Sequence, residues 1–77
     1  MMKIYNQRGI AMDKFSGNLK RLRKEAGMTQ RELAKLVGVS SNYISKLENG
    51  GNPKLIVLVN LADVFNVTCN FLCGIDN

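Results

Sequence analysis

Between Thr29 and Gly50 the chain writes two very short helices with only Gly38, Val39 and Ser40 between them, and this break limits its folds more than any other feature. Thr29 with Glu32 three residues later is a capping box, and Met28 with Leu33 has the spacing of a hydrophobic staple. Leu33, Ala34, Leu36 and Val37 supply the inward face, and Gly38 stops the helix after little more than two turns. Ser40 opens the next one as its N-cap, with Val39 and Ile44 again at staple spacing. Ile44 and Leu47 point inward, and Gly50 closes the far end.

The flanking segments follow the same helical period. From Asp13, Phe15, Leu19 and Leu22 recur at four and three residues, with Lys20, Arg21, Arg23 and Lys24 on the remaining surface and Gly27 as the stop. Asn52 before Pro53 reads as an N-cap with proline at the first helical position. The helix that follows turns Leu55, Leu58, Leu61, Ala62 and Phe65 inward. Thr68 caps a short fifth helix, with Val67 and Leu72 as its staple. No segment reads as a strand. The expectation is one all-α domain over residues 13–77, a compact five-helix bundle. Residues 1–12 show no period and are expected to be a flexible arm, or an upstream start ahead of a product beginning at Met12.

Composition removes several functions. The chain has 77 residues, one domain's worth, which buries roughly 60% of its unfolded surface. With no histidine, Ser-His and Cys-His catalysis and His-ligated metals are excluded. Cys69 and Cys73 lie four apart on one helix face and read as small packed hydrophobes, since two thiols do not close a tetrahedral zinc site. So few cysteines imply a reduced, cytoplasmic protein. No apolar run approaches the ~18 residues of a membrane span, and no secretory signal opens the chain. The expectation is therefore no enzyme, no metal, no cofactor, no membrane and no small-molecule ligand.

What remains is charge. The formal net charge is +5, and it is concentrated at the front: Lys3, Arg8, Lys14, Lys20, Arg21, Arg23 and Lys24 face only Asp13 and Glu25. Such an excess favours a polyanionic partner. Two short helices joined by a three-residue turn have the dimensions of a helix-turn-helix, which projects its second helix so that the outer face can enter a DNA major groove. On that face Asn42, Ser45, Lys46 and Asn49 fall at i, i+3, i+4 and i+7, with Ser41 beside them. A polar face is what any amphipathic surface helix needs. Here, however, every group donates or accepts hydrogen bonds and none is acidic. Asn pairs with adenine N6 and N7, Lys donates to guanine, and Ser suits several base edges.

The segment from Phe15 to Gly74 resembles the phage-repressor and Cro type (XRE family) of helix-turn-helix domain, the lambda-repressor-like fold. The resemblance rests on an ordered set: Leu19-Lys20-Arg21-Leu22-Arg23, Gly27-Met28-Thr29-Gln30-Arg31-Glu32-Leu33-Ala34, Gly38-Val39-Ser40 and Ile44-Ser45-Lys46-Leu47-Glu48-Asn49-Gly50, closed by Leu61-Ala62 and Phe71-Leu72-Cys73-Gly74. It implies that Ser41, Asn42 and Lys46, with Ser45 as a further contact, read base edges. It implies that Gln30, Ser40 and Asn49 hold phosphates, Gln30 with help from the helix dipole. Tyr43 has two readings, a hydroxyl on the DNA backbone or a ring covering the helix pair. Arg23 and Glu48 match a pair that forms a salt bridge in the family, Arg23 with a further phosphate contact; the alternative is two solvated charges worth little. Lys20, Arg21 and Lys24 supply general attraction, and Lys3 and Arg8 are the charges an arm would bring to DNA.

Two departures stand out. Lys54 occupies a place where relatives often have a capping Ser or Thr. Leu55-Ile56-Val57-Leu58-Val59 is apolar where relatives typically put polar residues at the second and third positions. A helix does not bury all five, so Ile56 and Val57 are expected to be exposed, either incidentally or as a dimer interface with the fifth helix. The expected function is a sequence-specific DNA-binding transcriptional regulator, a repressor acting as a homodimer on a two-fold-symmetric operator. The rival is a protein-binding or antitoxin-like adaptor on the same fold, to which exposed Ile56 and Val57 would belong.

Overall fold

The structure is a computed structural model that describes residues 10–75. Its helices are α1 (Ile10–Glu25), α2 (Gln30–Val37), α3 (Ser41–Glu48), α4 (Leu55–Val64) and α5 (Cys69–Cys73), and no strand occurs among the described residues. α1 begins at Ile10, three residues ahead of the expected Asp13. Lys3 and Arg8 lie outside the described residues.

The local signals produce the starts and stops they encode. Thr29 Oγ1 accepts from Glu32 N at 3.0 Å while Thr29 N donates to Glu32 Oε1 at 2.8 Å, so the capping box is closed in both directions. Ser40 Oγ accepts from Tyr43 N at 3.1 Å, and Thr68 Oγ1 from Phe71 N at 2.9 Å. Gly38 ends α2 in the left-handed region, φ 74°, and lets Val39 N reach back to Ala34 O at 3.0 Å. Asn66 performs the same turn after α4 at φ 56°, where the sequence carries no glycine.

α1 packs against α3 and α5, while α2 packs against α3 and α4. Phe15, Leu19, Leu33, Ile44, Leu47, Leu61 and Leu72 are fully buried and make one core. Burying a side chain of this size is worth about 1.5–3 kcal/mol, and that shared core supports helices too short to persist alone.

Four expectations fail, all at rotations or ends of helices. Leu36 is 60% exposed and Leu55 74% exposed, rather than inward. Val57, expected at the surface, is buried at 6% exposure, while Ile56 stays 63% exposed. For Leu55 and Val57 the cause is the rotation of α4. Val57 and Leu61, four residues apart, share its core face, which carries Leu55 and Val59 round to the opposite side. The Asn52–Pro53 start is also displaced: Lys54 occupies the N-cap without a side-chain cap, and α4 begins at Leu55. Lys54 N donates to Tyr43 Oη at 3.1 Å, and its extended backbone (ψ 150°) postpones the helix past Pro53.

Candidate nucleic-acid interface

α3 is held by its inward side and its ends, which leaves one face clear. Ile44 and Leu47 anchor it in the core. Asn42 and Lys46 stand exposed on the other side, with Ser41 and Ser45 half-buried between them. Ser40 sits at its N-terminal end as the cap. At the other end Asn49 is the C-cap, its amide Nδ2 donating to Ser45 O at 2.7 Å. The hydrogen bonds of α3 thus fall on its flanks, and the four central polar side chains project outward together.

Tyr43 lies half-buried against the core and accepts the Lys54 N–H through its hydroxyl. Its ring packs against the core, and the hydroxyl keeps its own O–H to donate. The ring also shapes a shallow surface groove with Val39, Ser40, Ile56 and Val57.

Arg23 and Glu48 form the pair that the resemblance implied. Arg23 Nε donates to Glu48 Oε2 at 2.6 Å and Nη2 to Oε1 at 3.1 Å, with the two side chains 9% and 2% exposed. Arg23 Nη1 donates to Met28 O at 2.7 Å. Gln30, the first residue of α2, donates from Nε2 to Glu48 Oε1 at 3.0 Å. Burial by itself pushes the Glu48 carboxyl up, but hydrogen bonds from Arg23 and Gln30 and the charges of Arg23 and Lys20 outweigh it and hold it below its ordinary value. The hydrogen bond to Glu48 raises the Arg23 guanidinium further. Arg23 is buried, with its fork turned inward to Glu48 and Met28 O. Gln30 keeps one N–H and its carbonyl oxygen free of this network.

Lys20, Arg21, Lys24, Arg31, Lys35, Lys46 and Lys54 are all exposed, and among the described residues only Arg21 of these is drawn into a surface ion pair, with Glu25 at 3.7 Å. Among the described residues no three His, Cys, Asp or Glu come together as a metal cluster, and no helix is long and apolar enough to cross a membrane. Burial, and to a lesser degree the neighbouring Cys69, pushes the Cys73 thiol up, which keeps it protonated and unreactive near neutral pH.

Two polar residues that sequence reasoning passed over shape this arrangement. Ser16, buried on α1, donates its hydroxyl to Leu47 O and accepts from Gly50 N at 3.0 Å. Asn18 donates to Phe71 O at 3.2 Å and Leu72 O at 3.1 Å, tying α5 to α1. The only available signal was a small hydroxyl next to Phe15 on an otherwise apolar stripe.

A helix-turn-helix family model matches residues 19–72. The chain is 44% identical over 52 residues to the uncharacterised HTH-type transcriptional regulator y4dJ of Sinorhizobium fredii, covering 66% of this chain and 68% of that one. It is 41% identical over 59 residues to the HTH-type transcriptional regulator PrpR of Mycobacterium tuberculosis, covering 74% of this chain but only 12% of that protein's length. Among solved structures, the restriction-modification controller protein C.AhdI of Aeromonas hydrophila matches with a TM-score of 0.72 and 31% identity, covering 79% of this chain and 94% of that one. The biofilm master regulator SinR, solved in complex with DNA, matches with a TM-score of 0.69 and 32% identity, covering 75% of this chain and 95% of that one.

Proposed function

The chain belongs to the XRE-type helix-turn-helix family of DNA-binding transcriptional regulators, and from that premise we propose that it acts as a homodimeric repressor that reads a two-fold-symmetric operator through α3. The observation that carries the reading is the outer face of α3: Ser41, Asn42, Ser45 and Lys46 project together, free of acidic groups, from a helix fixed at both ends.

In this reading Asn42 and Lys46 make the principal base contacts in the major groove, with Ser41 and Ser45 beside them. Ser40, Asn49, the Tyr43 hydroxyl and the remaining N–H of Gln30 hold phosphates on either side and set the register. Arg23 does not touch DNA; with Glu48 it orients α3. Lys20, Arg21 and Lys24 add attraction that does not depend on sequence. Two subunits present their α3 helices about 34 Å apart, one helical turn of DNA. The exposed apolar side chains of α4, Leu55, Ile56 and Val59, are the surface through which the subunits would meet.

That same surface favours a second reading, a protein-binding adaptor that keeps the fold without base readout. One experiment separates them: selection of bound duplexes from a random library at about 150 mM salt, where non-specific attraction is weakened. An enriched inverted repeat with half-sites one turn apart supports the operator-binding dimer. A library returned without enrichment rejects it in favour of the adaptor.

A further inference from the structure

We propose that Ser16 is a positioning residue for DNA binding, a neutral clasp that fixes the C-terminal end of α3 against α1 so that Lys46 and Asn49 meet the groove at the right angle. The inference rests on the reading of α3 given above.

The last carbonyls of any helix lack intrahelical partners. In α3 one of these, Leu47 O, is taken by the Ser16 hydroxyl, and Ser16 Oγ in turn accepts the Gly50 N–H at 3.0 Å just past the helix end. Ser16 is only 6% exposed, so water does not compete for either bond. Both partners are backbone groups, and the clasp therefore grips the helix axis itself.

The second tie between the same two helices is different in kind. Glu48 reaches Arg23 through a side chain with several rotatable bonds, so the salt bridge alone leaves α3 free to pivot about it. Ser16 and Arg23 are seven residues apart on α1, two turns along one face. Two attachments at that separation, one to backbone and one to a side chain, define both the tilt and the rotation of α3. The chain leaves little slack there. A Cβ added at Gly51 would come within 2.9 Å of Lys46 O, so the backbone folds back closely on the end of α3 where Ser16 holds it.

Because Ser16 carries no charge, its loss should weaken recognition without changing the number of phosphates neutralised. The test compares wild type, Ser16→Ala and a core control far from α3, Leu61→Val, all as full chains at a temperature where each is folded by circular dichroism. Operator affinity, affinity for an unrelated duplex, salt slope and amide exchange at Gly50 are measured. Ser16→Ala should lose on the order of tenfold in operator affinity, keep the wild-type salt slope and unrelated-duplex affinity, and exchange the Gly50 amide faster. Leu61→Val should bind as wild type does. Ser16→Thr, which keeps the hydroxyl, should recover part of the affinity. If Ser16→Ala is not folded, Ser16→Cys, a weaker hydrogen-bonding group, is read in the same way. Unchanged operator affinity in a folded Ser16→Ala, unchanged Gly50 exchange, or an equal loss in Leu61→Val overturns the proposal. A wild-type chain that discriminates no sequence is a separate result: it sinks the operator reading itself, and this inference with it.

Discussion

The Arg23 guanidinium grips both carboxylate oxygens of Glu48, at 2.6 and 3.1 Å, and so ties the last turn of α1 to the last residue of α3. Arg23 also holds Met28 O at the α1–α2 corner, and Gln30 joins from the start of α2. Three helices therefore meet at one buried ion pair, and the orientation of α3 depends on it.

Breaking that pair should cost far more than a surface salt bridge, because the partner left behind is a buried, unpaired charge. Arg23→Ala or Glu48→Ala should each destabilise the domain by about 3 kcal/mol, and the double substitution by less than the sum of the two. Urea unfolding of the three variants checks this. A single-variant loss under about 1 kcal/mol, the scale of an exposed pair, would contradict the burial argument.

Acid should release the same interaction. Glu48 is held below its ordinary carboxyl value in the folded protein, so at acidic pH the unfolded chain binds more protons and stability falls as pH falls. The contribution is complete above about pH 5 and is lost as pH drops below the ordinary value of about 4.3 and through the lower folded one. Urea midpoints of wild type and Glu48→Gln between pH 6 and pH 3 should converge on acidification. Parallel curves would assign the acid sensitivity to another carboxylate.

The outer face of α3 should be separable from the fold. Asn42→Ala with Lys46→Ala leaves every buried group in place, so the melting temperature should change little, within the usual surface range of about 0.5 kcal/mol. Site preference should disappear, since each lost base pairing removes about 1–3 kcal/mol of discrimination. Retained operator preference in a competition binding assay would move the readout to other residues.

The apolar run of α4 yields opposite outcomes at adjacent positions. Val57→Asp buries a charge in the core and should unfold the domain. Ile56→Asp places the charge in solvent and should leave the fold intact while shifting sedimentation towards monomer. A folded Ile56→Asp protein that stays dimeric would place the subunit contact elsewhere.

The helix starts at Thr29, Ser40 and Thr68 and the stop at Gly38 were legible because each signal is satisfied within a few residues of itself: a hydroxyl meets an N–H three positions on, or a glycine allows one local turn. The polar outer stripe of α3 was legible for the same reason, since helical spacing alone puts Asn42, Ser45, Lys46 and Asn49 on one side. The Arg23–Glu48 tie joins positions 25 apart, and it was anticipated only through the family resemblance.

What the sequence determined by itself was therefore the set of helices, the break between α2 and α3 and the chemistry of the exposed face. The tertiary structure decided the rest. Five consecutive apolar residues in α4 carry no signal of which two face the core, so the surrounding helices chose Val57 over Leu55 and Ile56. Lys54 N found Tyr43 Oη and the helix start moved past Pro53. Ser16 and Asn18 found backbone partners more than 30 residues away, because backbone groups offer the same donor and acceptor whatever the residue, and only packing brings a particular one within reach.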